Sequence, residues 1–336
     1  MFHGKSGEKM KSLRSKIILV TGAAGFIGSH LTRRLLEEGA EVHILLRKDT
    51  DQFRIQDFLE YLTIWYGDLK DFQRICSCIR GSRPQIIFHL ASIRNVNRIP
   101  ELIEPMIDIN VKGTLNILRG VIEEKITLES FVNTGSSEEY GDGLAPFNED
   151  QREIPVSPYS ASKVATTYFC QMFYKSMGLP IITLRPFLTY GPDQDTDMFI
   201  PSLIQQCLIG KDFPMTEGDQ TREFNYVDDI VEAFLLAACC PQAAGEVINI
   251  GNGIEYRIKD VAEKILYMMG NPIKLLIGDL PKRPGEAKHF FCTNEKAREI
   301  LEWSPKVNLN NGLERTINWY KSSFTKSKGV VRGSEV

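Results

Sequence analysis

The sequence predicts an α/β protein built on a doubly wound parallel sheet, with a smaller mixed portion toward its C-terminus. Three observations carry that prediction. Short apolar runs rich in β-branched residues alternate with amphipathic stretches from Ile17 to Leu184, the pattern of successive βαβ units. A glycine-rich turn joins the first run to the first amphipathic stretch. After Arg185 the alternation gives way to shorter segments punctuated by Pro and Gly.

Taken in order, Ile17–Val20 reads as a strand, and His30 to Glu38 as an amphipathic helix closed by Gly39. Glu41–Leu46 is the second strand. Ile64-Trp65-Tyr66 is the third, ending at Gly67-Asp68-Leu69 and leading into a helix through about Ile79. Ile86–Leu90 is the fourth, followed by one long helix over residues 101–124. Ser130–Thr134 is the fifth strand, residues 158–177 form a helix ended by Gly178, and Pro180–Leu184 is the sixth strand.

Composition excludes several classes. Of 336 residues, 43% are hydrophobic and 25% charged, the balance of a globular protein and not of a disordered one. Forty basic against forty-three acidic side chains give a net charge of −3, which argues against nucleic acid as a partner. No apolar stretch approaches the roughly 18–20 residues that span a bilayer, so no membrane partner is expected. The N-terminal stretch carries Lys5, Lys9, Lys11, Arg14 and Lys16 without the apolar core of a targeting signal. Seven Cys, an odd number with no C-x-x-C pair, suit free thiols in a reducing, cytoplasmic compartment. The five His are scattered and suggest no metal site.

The strongest local motif is Val20-Thr21-Gly22-Ala23-Ala24-Gly25-Phe26-Ile27-Gly28, with glycines spaced G-x-x-G-x-x-G between a strand and a helix. Glycine there lets the backbone approach a pyrophosphate, whose charge meets the helix N-terminus. This predicts a Rossmann-type dinucleotide site; a tight turn without ligand is the alternative. Arg47 and Lys48 follow the second strand, with no acid before Asp49. Two cations there favour the 2′-phosphate of NADP(H), while Asp49 bonding a ribose would suit NAD(H). Asp68 is placed to reach the adenine or to cap the next helix. The chain thus divides into a flexible basic arm (1–15), a dinucleotide-binding domain (16–184), a substrate portion (185–324) of which parts can return to the sheet, and a flexible tail (325–336).

Tyr159 and Lys163 stand four apart at a helix start, hence on one face. A phenol ionises near pH 10, and a neighbouring ammonium favours the phenolate, which can then exchange a proton with a substrate hydroxyl while hydride moves at the same carbon. Ser136 follows a strand and can reach a cleft at its end.

Together with Asp68-Leu69, His89-Leu90-Ala91 and Asn110-Val111-Lys112-Gly113-Thr114, these motifs resemble the extended short-chain dehydrogenase/reductase family of nucleotide-sugar epimerases, dehydratases and reductases. The resemblance runs from about Lys16 to about Tyr320. It implies that Ser136 bonds the C4 oxygen of the sugar, that Tyr159 is the acid/base, and that Lys163 holds the nicotinamide ribose. It further implies cofactor contacts from Gly22, Gly25, Phe26, Ile27, Gly28, Leu69, Leu90, Ala91 and Ser92, and a homodimer built on residues 101–124 and 168–177, with ordinary core packing as the alternative for those two segments.

The family's 4,6-dehydratases place a Glu two residues after the catalytic Ser/Thr, where Glu138 stands, but Ser137 occupies the position where some of them carry an Asp. Ser-Ser-Glu-Glu-Tyr-Gly looks most like the reductases of GDP-4-keto-6-deoxymannose, so reduction of a nucleotide-linked 4-keto-6-deoxyhexose is the expected reaction, with 4,6-dehydration and then 4-epimerisation as alternatives. A dinucleotide-sensing scaffold on the same fold is the non-enzymatic alternative. The resemblance assigns substrate contacts to Ser137, Phe187, Arg222 and Arg283, the arginines suiting a pyrophosphate because their planar forks bind its oxygens in pairs. Leu188 replaces an Asn common in the family, which removes one polar contact to the sugar.

Overall fold

The computed structural model describes residues 12–282 and 285–332, with side chains as far as residue 325. Seven parallel strands form the central sheet: β1 (Ile17–Thr21), β2 (Glu41–Leu46), β3 (Thr63–Tyr66), β4 (Ile86–His89), β5 (Ser130–Thr134), β6 (Ile181–Pro186) and β7 (Val247–Ile250). Their order is β7-β6-β5-β4-β1-β2-β3, with Thr21 beside His89 and Thr134 beside Leu184 in register. The six expected strands are present, and the seventh returns from the C-terminal portion to pair with β6.

Strand periodicity distributes side chains to two faces. Ile18, Val20, Ile86 and Phe88 join one cluster with α1 (Phe26–Glu37) and with the later helices Val227–Cys239 and Glu295–Leu301. Leu19, Ile87 and Phe131 point to the opposite face, under α2 (Phe72–Ser82) and under the helices before β5 and β6. A separate cluster, including Tyr190, Leu203, Ile204, Phe224, Ile265 and Leu313, is the core of the C-terminal portion.

The expected helix over 101–124 is segmented. Ile103–Met106 is α-helical, Ile107–Lys112 takes a π-helical turn, and Gly113–Glu123 resumes the α-helix; we call the whole run α3. A π turn accommodates an extra residue, and here it carries the buried Asn110. Helix α4 is Pro158–Met177, as expected, with Ser157 as N-cap, Pro158 at its first position and left-handed Gly178 as C-cap.

The expected arm and tail lie partly outside the described residues. Residues 1–11 and 333–336 lie outside the described residues, but Leu13 is buried in the core and the Ser15 amide donates to Gly39 O. The last helix runs from Leu309 to Arg332, anchored by buried Leu313, Ile317 and Tyr320. Among the described residues, no helix is long and apolar enough to cross a membrane.

Candidate active site

The carboxyl ends of β1, β4 and β5 converge on the glycine turn. Gly22 has φ +76°, and a Cβ there would lie 2.6 Å from the Ala91 nitrogen. A Cβ on Gly28 would meet Gly22 O at 2.0 Å. The Gly25 amide donates to Gly22 O at 3.0 Å, and Gly25 caps α1 without any side-chain acceptor. The first-turn amides of Phe26 and Ile27 therefore remain available at the positive end of the helix dipole. A close-packed turn beneath an uncapped helix end fits the diphosphate of a nicotinamide dinucleotide.

Beneath the turn lies a buried hydrogen-bond chain. Thr114 donates its hydroxyl proton to Asn110 O at 2.6 Å, so His89 Nε2 is the donor in the 2.8 Å contact with Thr114 Oγ1. His89 Nδ1 then accepts from Thr21 Oγ1 at 2.7 Å, and Thr21 Oγ1 accepts from the Ala91 amide at 3.3 Å. Burial pushes the His89 imidazole down to about 3, the Lys163 charge adding to the effect, so the ring is neutral.

The other cofactor candidates lie around these strand ends. Arg47 and Lys48 are exposed after β2, with Arg47 Nε 3.3 Å from Asp49 Oδ1. Asp68 Oδ1 accepts from the Lys70 amide at 2.9 Å, while the N-cap of α2 is Asp71; Asp68 is not the cap. Leu69 is buried against Gly113 of α3, and Leu90, Ala91 and Ser92 are half-buried beyond β4.

Tyr159 and Lys163 share the first turns of α4, with the Lys163 ammonium 5.9 Å from the centre of the Tyr159 ring. Lys163 Nζ donates to Thr134 O at 2.8 Å, tying α4 to the end of β5. Burial pushes the Tyr159 phenol up to about 12; the nearby Ser136 hydroxyl, which accepts from the Glu138 amide at 3.2 Å, and Arg94 pull it down, while the charges of Glu138 and Glu139 push it further up. Burial also lowers Lys163 to about 8, opposed by the charge of Glu139. Ser136, Tyr159 and Lys163 thus come together, from β5 and α4, as spacing required.

Glu138 is half-buried and its carboxylate makes no hydrogen bond among the described residues. Burial raises its proton affinity, and the charges of Arg222 and Arg98 oppose that rise. Arg222 itself pairs with Glu286 at 2.8 Å and donates to Ala287 O. Ser137 is buried at the start of the short helix Ser137–Tyr140. Arg283 lies outside the described residues.

Phe187 is a correction. Its ring is 2% exposed among Tyr140, Phe147 and Phe290, so its side chain serves a local aromatic core and is not displayed to a substrate. Sequence reasoning quoted Asn110 and Glu139 within motifs but gave neither a role of its own. Asn110 Oδ1 accepts from the Ile93 amide and its Nδ2 donates to Ile93 O and Ser162 Oγ, binding the loop after β4 to α4. For Glu139 a signal was present: Ser136-x-x-Glu139 is a capping-box pattern.

Comparisons with known proteins agree with this geometry. A family model described as GDP-mannose 4,6 dehydratase matches residues 19–316. An uncharacterized UDP-glucose epimerase of Bacillus subtilis (strain 168) is 30% identical, over 91% of this chain and 98% of its own. The human dTDP-D-glucose 4,6-dehydratase is 28% identical, over 96% and 94%. Among solved structures, UDP-glucuronic acid 4-epimerase from Bacillus cereus, in complex with UDP-glucuronic acid and NAD, superposes with a TM-score of 0.82 at 30% identity, covering 91% of this chain and 99% of that one. With the glycine turn, the Tyr159/Lys163 pair and Ser136 in their expected places, the chain belongs to the GDP-mannose 4,6-dehydratase family of extended short-chain dehydrogenase/reductases, enzymes that act on nucleotide sugars.

Proposed function

We propose that this enzyme reduces a nucleotide-linked 4-keto-6-deoxyhexose at C4, using NADPH. The observation that carries the reading is Ser137. Between Ser136 and Glu138 there is no second acid to protonate a departing hydroxyl, which supports a reaction that needs one proton only, given by Tyr159 to the C4 oxygen. The cofactor, when bound, supplies the hydride. Ser136 holds the C4 oxygen beside Tyr159, and Lys163 meets the nicotinamide ribose and supports the phenolate left behind. The exposed Arg47-Lys48 pair supports NADP(H), although the Bacillus cereus structure holds NAD. Exposed Ile103 and Ile107 on α3, with Phe169 and Met172 on α4, support a homodimer through these two helices.

A 4,6-dehydratase is the second reading, favoured by the unbonded Glu138 carboxylate, whose raised proton affinity suits removal of the C5 proton. The test supplies GDP-mannose, and separately its 4-keto-6-deoxy product with NADPH, in deuterated water. Stoichiometric loss of NADPH with the keto sugar alone supports reduction. Deuterium at C5 of a 4-keto-6-deoxy product, formed from GDP-mannose without net use of cofactor, overturns it in favour of dehydration.

A further inference from the structure

The turn after β5 holds a carboxylate for which the reaction has no use. Glu139 is fully buried. Its Oε1 accepts from the Ser136 amide at 2.8 Å, and its Oε2 accepts from Thr167 Oγ1 at 2.9 Å and from Arg185 Nε at 2.9 Å. Arg185 Nη2 lies 2.8 Å from the same oxygen, and Arg185 also pairs with Glu153. Thr167 is one helical turn beyond Lys163 on α4, and Arg185 is on β6. One side chain thus joins the loop of Ser136, the helix of Tyr159 and Lys163, and a central strand. Gly135 makes room for it, since a Cβ there would lie 2.6 Å from Glu139 Oε1.

Stability alone gives no reason for this arrangement. Buried ion pairs carry a desolvation cost that well-packed apolar residues of similar volume avoid. What an apolar residue cannot do is accept the Ser136 amide while gripping α4.

We propose that Glu139 is a positioning residue: its carboxylate fixes the Ser136 main chain against α4, so that the Ser136 hydroxyl stays aimed at the Tyr159 oxygen. The proposal rests on the reading of Ser136 and Tyr159 given above. The charges around that phenol are Glu138 beside Glu139, Arg94 from the loop after β4, and Lys163 on its own helix; those around Glu139 are Arg185 and, beyond it, Glu153.

Glu139→Gln keeps the shape but leaves one accepting atom where two are needed. Arg185 claims that oxygen, and the new amide N–H then confronts the N–H of Ser136, releasing the loop. The experiment is a double-mutant cycle read on Tyr159 itself, with NADP+ bound and no substrate. The protein carries tyrosine labelled with 13C at the ring carbon bearing oxygen, and the Tyr159 resonance is assigned by its loss in Tyr159→Phe.

In the native background, Ser136→Ala should weaken Tyr159 acidity about tenfold, the effect of one hydrogen bond to a charged group. In the Glu139→Gln background, the same Ser136→Ala change should move the titration little, because the hydroxyl has already left. An equal Ser136→Ala effect in both backgrounds overturns the proposal and leaves the catalytic reading standing. No effect of Ser136→Ala in the native background overturns both. Should Glu139→Gln fail to fold, Thr167→Val, which releases the carboxylate from α4, enters the same cycle. An undiminished Ser136 effect there also overturns the proposal.

Discussion

Burial sets both titrating groups of the Tyr159/Lys163 pair, and it drives them apart: the phenol up to about 12 and the ammonium down to about 8, each toward its neutral form. Deprotonation of Lys163 removes the positive charge 5.9 Å from the Tyr159 ring, so activity should fall as pH rises through about 8, and Lys163→Arg, which cannot lose its charge there, should remove that alkaline limb from a kcat profile. Tyr159→Phe keeps the ring and removes the ionising oxygen, and turnover should drop by roughly 100- to 10,000-fold with an unchanged melting temperature. His89 gives a stability prediction. Its folded value is depressed from 6.5 to about 3, so the unfolded chain binds a proton that the folded chain refuses, and stability is lost as pH falls from about 6.5 toward 3. Replacing His89 with Gln should flatten that part of a melting-temperature profile between pH 6.5 and 5; an unchanged slope would show that other groups set it. Ser136, Tyr159 and Lys163 were legible because strand-end position and i,i+4 spacing are local. Phe187 and Glu139 were misjudged or missed because their partners come from distant segments: Phe147 and Phe290 for the one, Thr167 and Arg185 for the other.

At the scale of elements, most boundaries were readable from period and punctuation, as α4 illustrates with Pro158 at one end and Gly178 at the other. The π turn in α3 was not. It depends on Asn110 turning inward to satisfy both the amide and the carbonyl of Ile93, and no sequence period announces a partner seventeen residues upstream. Asn110→Ala removes those two bonds and the one to Ser162, which at about 1 kcal/mol each should lower stability by about 3 kcal/mol. Denaturant unfolding measures this directly; a loss below half that value would mean that water replaces the amide. The glycine turn makes a contrasting prediction. Gly28→Ala places a methyl group against Gly22 O, so the turn must open, and dinucleotide affinity should fall far more than thermal stability when measured by calorimetry and melting on the same samples.

For the whole molecule, alternation of strands and helices was enough to announce a parallel α/β sheet, because a crossover of helical length is what connects parallel neighbours. A return of part of the C-terminal portion to the sheet was expected, but Val247–Ile250 was not singled out because it lies in a portion otherwise broken by Pro and Gly; pairing with β6 makes it a strand. The helices α3 and α4 leave Ile103, Ile107, Phe169 and Met172 exposed. Sedimentation at micromolar concentration should show a dimer, and Ile107→Glu with Phe169→Glu should give a folded monomer. A native chain that sediments as a monomer would remove the proposed use of that surface.

Since β7 lies outside β6 in the sheet, synthesis and folding are out of step. A nascent chain that has emerged as far as Leu184 carries the entire dinucleotide turn and the Tyr159/Lys163 helix, yet β6 then lacks its neighbour, and the face bearing Ile18 and Val20 still waits for Val227–Cys239. An open apolar edge of that kind invites pairing between chains. The first half of this enzyme is therefore unsuited to an independent existence, and an expressed fragment of residues 16–184 should aggregate while the full chain stays dispersed. Gene fusions or splits that respect the apparent boundary at 184 would cut through β6 (Ile181–Pro186) and so through the seven-stranded sheet.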